Sequence, residues 1–431
     1  MLLGGLVLSL PISWADGYRV SLLDAMFSSF SAVCVTGLST IEIGQCLSIF
    51  GQMVMLVLIQ VGGLGFMTMT ALLFMAVGRR ISLADRVVLQ ESLNGDRLQG
   101  VVKTTRTAVF LTLGCEGAGA ALFAVRMIPL YGFGKGLYYS VWHAVSAFCN
   151  AGFDVIGSGT NFGVFAGEPY ILVVTMLLIV VGGLGFLVVM ELAGWAKARG
   201  KKRLSLQAKV VVISSLALIG AGALCYGLLE WNNPATLGAP GLSPGDKVVG
   251  ALFQSVTTRT AGFSTFGQGG LRTASAALTL VLMLIGASQA GTGGGLKTTT
   301  CAIVLAMLRS AVRGQDETIL FKRRISRANV LKAVTLVILG VLFVAVTTLL
   351  LTITESSIGA GSLLFEVISA FGTVGLSQNV TPLLNPAGKI IIICCMYAGR
   401  VGLMTVMTAL TMRIAKNKAN IRFAEERIMV G

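Results

Sequence analysis

Long apolar runs separated by short basic segments form the dominant pattern of this sequence. Val173–Met190 carries no charged residue, and Val330–Ile353 carries only Lys332. Such runs approach or reach the roughly 20 residues that a helix needs to cross a bilayer core of about 30 Å. They are apolar on every face, whereas strands of a membrane barrel alternate apolar and polar residues. We therefore predict membrane-spanning helices, which satisfy their own backbone hydrogen bonds.

An internal fourfold repeat is the second pattern. Each unit contains a helix, a short amphipathic segment that ends at a glycine, a second helix and a basic loop. Each of these glycines is followed by Leu or Phe, and they are Gly37, Gly152, Gly262 and Gly375. Ten residues before them stand Phe27, Trp142, Leu252 and Phe365, and six before them stand Ser31, Ser146, Val256 and Ser369. We place units one to four at residues 1–80, 81–203, 204–324 and 325–415, followed by a cytoplasmic tail at 416–431.

The second helices repeat as well. Gln60–Phe66 and Val180–Phe186 share the letters VGGLGF, and Ile285-Gly286 and Ala398-Gly399 are aligned with them in units three and four. Since small residues allow helices to approach closely, we interpret Gly62-Gly63 and Gly182-Gly183 as packing and bending sites.

Charge placement predicts the topology. Lys and Arg cluster around residues 79–106, 197–209, 309–332 and 413–427, and the positive-inside tendency makes these segments cytoplasmic. A segment of about 13 residues cannot cross the membrane as a helix, so each short segment must enter and leave from the outside. We predict an all-α polytopic membrane protein with eight spanning helices, four re-entrant pore loops in parallel repeats, and pseudo-fourfold symmetry around a central pore. Both termini are expected in the cytoplasm.

The first helix departs from this scheme. Only about ten residues, Met1 to Leu10, precede Pro11, which is half of the length that a span needs. We expect either a short, tilted helix or additional residues upstream of Met1.

Composition supports the membrane class and excludes others. Hydrophobic residues make up 55 % of the 431 residues and charged residues 12 %, against about 25 % charged residues in a soluble domain. The net charge of +15 is concentrated in the predicted cytoplasmic segments, so we do not expect nucleic-acid binding. Eight cysteines without paired spacing and a single histidine, His143, predict no disulfide framework and no metal site beyond potassium. The spans contain no paired carboxylates and no nucleophile with a base, so we do not expect an enzyme.

The segments that end at the four glycines have the chemistry of a potassium filter. Potassium pores replace the hydration shell of the ion with rings of backbone carbonyls, and glycine reaches the positive φ that such a strand requires. Thr373-Val374-Gly375 matches the first three letters of the TVGYG filter. The predicted filter residues are Val35, Thr36, Gly37, Asn150, Ala151, Gly152, Thr260, Ala261, Gly262, Thr373, Val374 and Gly375. The short helix before each glycine would direct its negative C-terminal end towards the cation.

These filter segments, the repeated GGLGF and the glycine stretch of unit three resemble the Trk/Ktr/HKT superfamily of potassium transporters, over essentially the whole chain. The short tail and the lack of a further helix pair before unit one resemble the Ktr-type pore-forming subunit. In plant relatives, serine at the first filter glycine accompanies sodium transport, so Gly37 favours potassium. The resemblance implies potassium uptake across the cytoplasmic (inner) membrane, with Na⁺ as a coupling ion left open. It also implies a homodimer on a cytosolic ring of nucleotide-binding regulatory subunits, and this chain is expected to hold no cofactor of its own.

Unit three contains a break that predicts a gate. Five glycines in Gly286–Gly295 make a regular helix costly, at about 1 kcal/mol each relative to alanine. The resemblance makes this stretch an intramembrane gating loop below the filter, contacted by Arg400, a charged residue inside an apolar helix. The predicted gating residues are Gly286, Gly291, Thr292, Gly293, Gly294, Gly295, Lys297 and Arg400. A phosphate-binding loop is the alternative for Gly-Gly-Gly-Leu-Lys-Thr, but the spacing of the nucleotide motif is missing.

Other polar residues within the predicted spans have structural interpretations. We expect His143 and Glu366 to make hydrogen bonds from the short helices, and Glu116 to be paired. Arg259 is expected to bind a carboxylate or a backbone carbonyl. A secondary transporter of another small cation or solute is the competing function, although such transporters favour inverted repeats and the repeats here are parallel.

Overall fold

The computed structural model describes residues 1–65, 101–157, 161–289 and 291–402. In chain order the α-helices are α1 (Leu2–Leu8), α2 (Leu22–Cys34), α3 (Ile43–Cys46), α4 (Ile49–Leu64), α5 (Val101–Tyr131), α6 (Phe133–Phe148), α7 (Pro169–Leu184), α8 (Phe186–Lys197), α9 (Leu206–Glu230), α10 (Pro244–Thr257), α11 (Thr273–Leu284), α12 (Thr298–Val312), α13 (Arg327–Thr354), α14 (Ala360–Gly372) and α15 (Pro386–Val401). Strands β1 (Ile319–Leu320) and β2 (Arg323–Arg324) form an antiparallel hairpin in which Ile319 pairs with Arg324. The predicted all-α class is confirmed.

The first helices of units two, three and four are long apolar spans. Thr104–Tyr131, Leu206–Glu230 and Arg327–Thr354 are each long and apolar enough to cross a membrane. The corresponding α1 has only seven residues, as its sequence predicts. Fewer unbroken spans than the expected eight therefore occur in the described ranges, because the second helices are short or interrupted.

The second helices break at glycine. Helix α7 ends at Gly185, whose φ is 90°, and the α7–α8 pair is bent by 105° there. Gly65 and Gly402 end α4 and α15 with nearly the same backbone angles. A β-branched or bulky residue would be strained at such a positive φ. The bend thus lies at Gly185, two residues beyond the Gly182-Gly183 pair at which we predicted it.

The short helices α2, α6, α10 and α14 occupy the interior. Ser21 caps α2, and Ser243 forms a capping box with Asp246 at the start of α10. These hydrogen bonds from Ser243 hold the pKa of Asp246 below its usual value. Fully buried aromatic side chains anchor the four helices, and they are Phe27, Trp142, Phe253 and Phe365.

Unit three is shifted by one residue relative to the sequence alignment. Phe253, rather than the predicted Leu252, is the fully buried anchor, and it lies nine residues before its glycine, against ten in the other three units. The boundaries of the four units remain predictions. Arg79, Arg80, Arg86, Arg97 and the tail at 416–431 lie outside the described residues.

Candidate functional site

The four predicted filter loops share an unusual backbone. In each loop the residue two before the glycine has a positive φ, at 55° for Val35, 59° for Asn150, 67° for Thr260 and 49° for Thr373. The glycines follow at 93°, 70°, 80° and 93°, and the residue between them has a negative φ. Val and Thr are β-branched and rarely adopt such angles. Strain of this kind persists only where the surroundings impose it, and it clusters at functional sites.

Backbone N–H groups of these loops donate back to the short helices. Thr36, Ala151 and Val374 donate to the carbonyls of Ser31, Ser146 and Ser369 at 2.8–2.9 Å, and Ala261 donates to Thr257 at 3.0 Å. The donors are therefore used inside the protein. Among the described residues, no hydrogen-bond donor reaches the carbonyls of these same four residues.

The loops are neighbours in a closed order. A Cβ placed on Gly37 would lie 2.5 Å from the Ala151 oxygen, and one on Gly152 would lie 2.5 Å from the Ala261 oxygen. A Cβ on Gly262 would meet the Val374 oxygen at 2.5 Å, and one on Gly375 would meet the Thr36 oxygen. Each glycine thus lies beside a carbonyl of the next loop, and the fourth loop returns to the first. The structure brings the twelve predicted filter residues together.

Side-chain hydroxyls at the ends of the short helices support the loops. Ser31 and Ser369 accept hydrogen bonds from the N–H groups of Gly37 and Gly375 at 3.2 and 3.1 Å. In the other two units, Ser146 donates to the Phe153 carbonyl at 2.9 Å and Thr257 donates to the Phe263 carbonyl at 2.6 Å. The sequence alignment placed Val256 in this position; the structure gives it to Thr257. The recurring serine in three units was the signal for this role.

Buried polar groups of three short helices bind the chain beyond the filter. His143 Nε2 lies 2.8 Å from an Asp154 carboxylate oxygen, and Gln254 donates to Gln268 at 2.7 Å. The Glu366 carboxylate accepts from Thr381 at 2.8 Å and from Ser377. The structural role predicted for His143 and Glu366 is confirmed. Glu116 is also paired, since Gln60 donates to it at 3.1 Å.

The glycine stretch of unit three contacts two of the predicted filter loops, at Thr260 and Thr373. It breaks the helix between α11 and α12, and Gly294 N–H donates to the Thr373 hydroxyl at 2.8 Å. A Cβ on Gly293 would strike the Thr260 hydroxyl. On its other side, Ser288 N–H donates to the Gly183 carbonyl at 3.1 Å. The absence of side chains is what allows this stretch to fit under two filter loops.

Two half-buried basic side chains donate to successive carbonyls of this stretch. Lys297 Nζ donates to the Gly293 oxygen at 2.7 Å. Arg400 donates to the Thr292 oxygen and also to the Gly62 oxygen of unit one. The predicted contact of Arg400 with the glycine stretch is therefore present. Arg400 also links that stretch to a helix of a different unit.

The position of Arg400 follows from the glycine pattern. A Cβ on Gly62 would clash with the carbonyl oxygen of Val33, four residues before Gly37. In the same way, a Cβ on Gly182 would clash with the Phe148 oxygen and one on Gly399 with the Phe371 oxygen. Gly399 is thus equivalent to Gly62 and Gly182, as the sequence comparison of Ala398-Gly399 with the repeated motif predicts. Arg400 consequently takes the place of Gly63 and Gly183.

Arg259 is buried beside the filter without the partner that we expected. Its side chain is 7 % exposed, and its Nε has no hydrogen-bond partner within the described ranges. A small cavity lined by Ile179, Val180, Gly183, Ile219 and Val256 adjoins it.

Comparisons with known proteins agree with this architecture. The sequence profile of the family described as TrkH, cation transport protein, matches residues 8–420. The Ktr system potassium uptake protein B of Bacillus subtilis is 37 % identical over 431 residues, which cover all of this chain and 94 % of that protein. The potassium/sodium uptake protein NtpJ of Enterococcus hirae is also 37 % identical, with the same coverage. The crystal structure of the potassium transporter TrkH from Vibrio parahaemolyticus superimposes with a TM-score of 0.75 at 21 % identity, covering 96 % of this chain and 83 % of that one.

Proposed function

The chain belongs to the family of TrkH cation transport proteins, and on that premise we propose that it takes up potassium through a carbonyl-lined filter gated by an intramembrane loop. The observation that carries this proposal is the closed order of Gly37, Gly152, Gly262 and Gly375, each beside a carbonyl of the next loop. The pseudo-fourfold pore is the simplest arrangement compatible with that order.

The proposed ligands are the carbonyls of the residues before each filter glycine. Alternation between positive and negative φ directs successive carbonyls of a strand to one side, and oxygen rings of this kind replace the hydration shell of potassium. The C-terminal ends of α2, α6, α10 and α14 precede the four loops. Their partial negative charge adds to the attraction for a cation.

The proposed gate is the stretch Gly286–Gly295. Its contacts with Thr260 and Thr373 favour a position directly below the filter. In this position it obstructs the pathway, and the charges of Lys297 and Arg400 oppose a cation that leaves the filter. Opening requires the stretch to move aside, which breaks the hydrogen bonds from Arg400 and Lys297.

We extend the proposal to location and partners. A multi-pass protein of this family is expected in the cytoplasmic membrane with both termini in the cytoplasm. The Bacillus subtilis relative is named for the Ktr system, and we propose the Ktr-type assembly for this chain: a homodimer on a cytosolic nucleotide-binding regulatory ring. Potassium is the proposed transported ion, and its dependence on Na⁺ is decided by the flux experiment below.

Symport of sodium, or transport of another small cation, is the second candidate function. The name of the Enterococcus hirae relative includes both potassium and sodium. A sodium requirement for potassium flux would favour coupling, whereas sodium flux without potassium would favour the alternative.

Flux through the purified protein tests the proposal. Proteoliposomes loaded with potassium are expected to accumulate ⁸⁶Rb⁺, with and without external Na⁺, and unlabelled K⁺ is expected to compete. A Gly262→Ser variant in matched vesicles serves as the inactive control. Failure of the wild-type protein to transport Rb⁺ in either condition would reject the potassium pathway.

A further inference from the structure

Asn161 contacts the outer end of two filter loops at once. Its side-chain amide nitrogen lies 3.4 Å from the Gly152 oxygen and 3.3 Å from the Gly262 oxygen. These oxygens belong to the last residues of the second and third filter segments. An amide NH₂ group carries two N–H donors and can therefore serve both carbonyls.

A buried aromatic residue fixes Asn161 in this place. Asn161 begins a short 3₁₀ helix, Asn161–Phe165, and the next residue, Phe162, is fully buried. The Phe162 ring lies 4.7 Å from that of Phe263 and 5.4 Å from that of His143, centre to centre. It thus fills the space between the second and third units. The packing of Phe162 in the core therefore fixes the position of the neighbouring Asn161 against the filter loops.

The hydroxyls at the ends of the short helices also distinguish units two and three from units one and four. In units two and three, Ser146 and Thr257 donate to the carbonyl that follows the filter glycine. In units one and four, Ser31 and Ser369 accept from the glycine N–H. The outer carbonyls of units two and three are therefore engaged by protein donors, whereas the described residues supply no such donor to the equivalent carbonyls of units one and four.

We propose that Asn161 is a specificity-determining residue of the outermost ion site, an inference that rests on the proposed potassium filter. Its N–H groups occupy lone pairs of Gly152 and Gly262 and place partial positive charge between them. Since the described residues supply no donor to the Gly37 and Gly375 carbonyls, an ion arriving from outside meets the full field of those two and a weakened field from Gly152 and Gly262. Fewer and weaker carbonyl dipoles favour a large, easily dehydrated ion over a small one, and weak outer binding allows the ion to move on.

Two substitutions at Asn161 test this role. Asn161→Asp preserves size and tolerates the left-handed backbone, whose φ is 51°, but replaces the donors with oxygen. Asn161→Gly removes the side chain and keeps the backbone angle. In both variants the apparent KM for external Rb⁺ is expected to fall by about threefold to tenfold, the equivalent of one or two lost neutral hydrogen bonds. The inhibition constant for external Na⁺ should fall by a larger factor, while the maximal rate changes by less than about twofold.

Asn379 provides the matched control. It is an exposed asparagine with a φ of 62° in the segment that follows the filter loop of unit four. Asn379→Asp and Asn379→Gly therefore make the same chemical changes at a site away from Gly152 and Gly262. The Asn379 variants should keep the wild-type KM for Rb⁺ and the wild-type inhibition constant for Na⁺. An unchanged or raised KM in the Asn161 variants, or an equal shift in the Asn379 variants, overturns the inference.

Equilibrium binding separates this inference from the transport proposal. If an Asn161 variant does not transport, isothermal titration of Rb⁺ into the purified variant still measures ion binding at the filter. An affinity for Rb⁺ equal to or weaker than that of the wild-type protein overturns the inference. If the wild-type protein itself neither binds nor transports Rb⁺, the proposed function fails. Normal wild-type uptake with unaltered Asn161 variants rejects the role of Asn161 alone.

Discussion

Lys389 and Asp24 form an ion pair that joins the fourth unit to the first. The Lys389 nitrogen lies 2.7 Å from the Asp24 carboxylate, and both side chains are less than one-fifth exposed. The partners are separated by 365 residues. Asp24 stands in the first turn of α2, where a negative charge also favours the helix N-terminus. This ion pair thus connects the last of the four units, through α15, to the first unit, through α2.

The seam between units four and one should depend on this pair. A double-mutant cycle with Lys389→Met and Asp24→Asn is expected to give a coupling free energy of about 1 kcal/mol, at the upper end for exposed pairs because both groups are partly buried. Denaturant unfolding of the detergent-solubilised protein provides the measurement. The control is Arg324 with Glu317, a pair of similar length at 3.0 Å that is 69 % and 48 % exposed and should couple near zero. Equal coupling in the two cycles would contradict the prediction.

A side chain at a filter glycine should abolish uptake. Gly262 has a φ of 80°, and a Cβ there would lie 2.5 Å from the Val374 oxygen, so Gly262→Ser distorts the carbonyls proposed to bind the ion. Gly375→Asp should act in the same way. Growth of a potassium-uptake-deficient strain at low potassium and ⁸⁶Rb⁺ uptake both report the loss. Gly17→Ala is the control, because Gly17 has a φ of 83° with nothing within 4 Å. Rescue by either filter variant would count against the filter.

Loss of Arg400 should weaken the closed gate. Arg400→Gln removes charged hydrogen bonds to Thr292 and Gly62, and each such bond contributes about 1.5–3 kcal/mol. We expect ⁸⁶Rb⁺ uptake in proteoliposomes to rise at least about fivefold. Arg400→Lys keeps the charge but cannot bridge two carbonyls as a guanidinium does, and should give an intermediate rate. Arg272→Gln, at an exposed position before α11, should leave uptake unchanged. A folded Arg400→Gln protein with lower uptake than wild type would refute a holding role.

The hydroxyl under the fourth filter loop should contribute to selectivity. Ser369→Ala leaves the Gly375 N–H without its acceptor at 3.1 Å. The expected cost is about 1–3 kcal/mol for an unsatisfied buried donor. Competition by Na⁺ against ⁸⁶Rb⁺ uptake should increase, because the loop can then adopt other backbone conformations. Ser362→Ala on the same helix is the comparison, and it should retain the wild-type ratio. Identical competition curves for the two variants would argue against this support.

Alanine substitution should have opposite effects on stability at Gly185 and Gly194, two glycines of the bent α7–α8 pair. Gly185→Ala introduces a Cβ at a φ of 90° and is expected to lower the free energy of unfolding by about 1–2 kcal/mol. Gly194→Ala falls inside α8 with nothing within 4 Å, and should raise it by up to about 1 kcal/mol. Thermal unfolding in detergent compares the two. A stabilised Gly185→Ala protein would show that the bend does not need glycine.

Several features follow from the sequence alone because they are local or periodic. Apolar runs of spanning length and basic loops indicate the membrane class, and the repeated glycines place the four short helices and the proposed filter loop after each of them. The break after α11 is also local, since five glycines cannot maintain a helix cheaply. Pairing of His143 and Glu366 was predictable for a related reason: a polar group buried in a short apolar helix requires a partner.

Other features were decided only by tertiary structure. The sequence placed Val256 and Leu252 in positions that belong to Thr257 and Phe253. The packed positions of α10 lie one residue nearer to Gly262 than their equivalents in the other units, and only packing reveals that shift. Contacts of Arg400 with Gly62, of Lys389 with Asp24 and of Asn161 with Gly152 and Gly262 join different units. No local pattern encodes such pairs. They depend on how four units close upon one another, and that closure is set by the close approach of glycine backbones in the assembled fold.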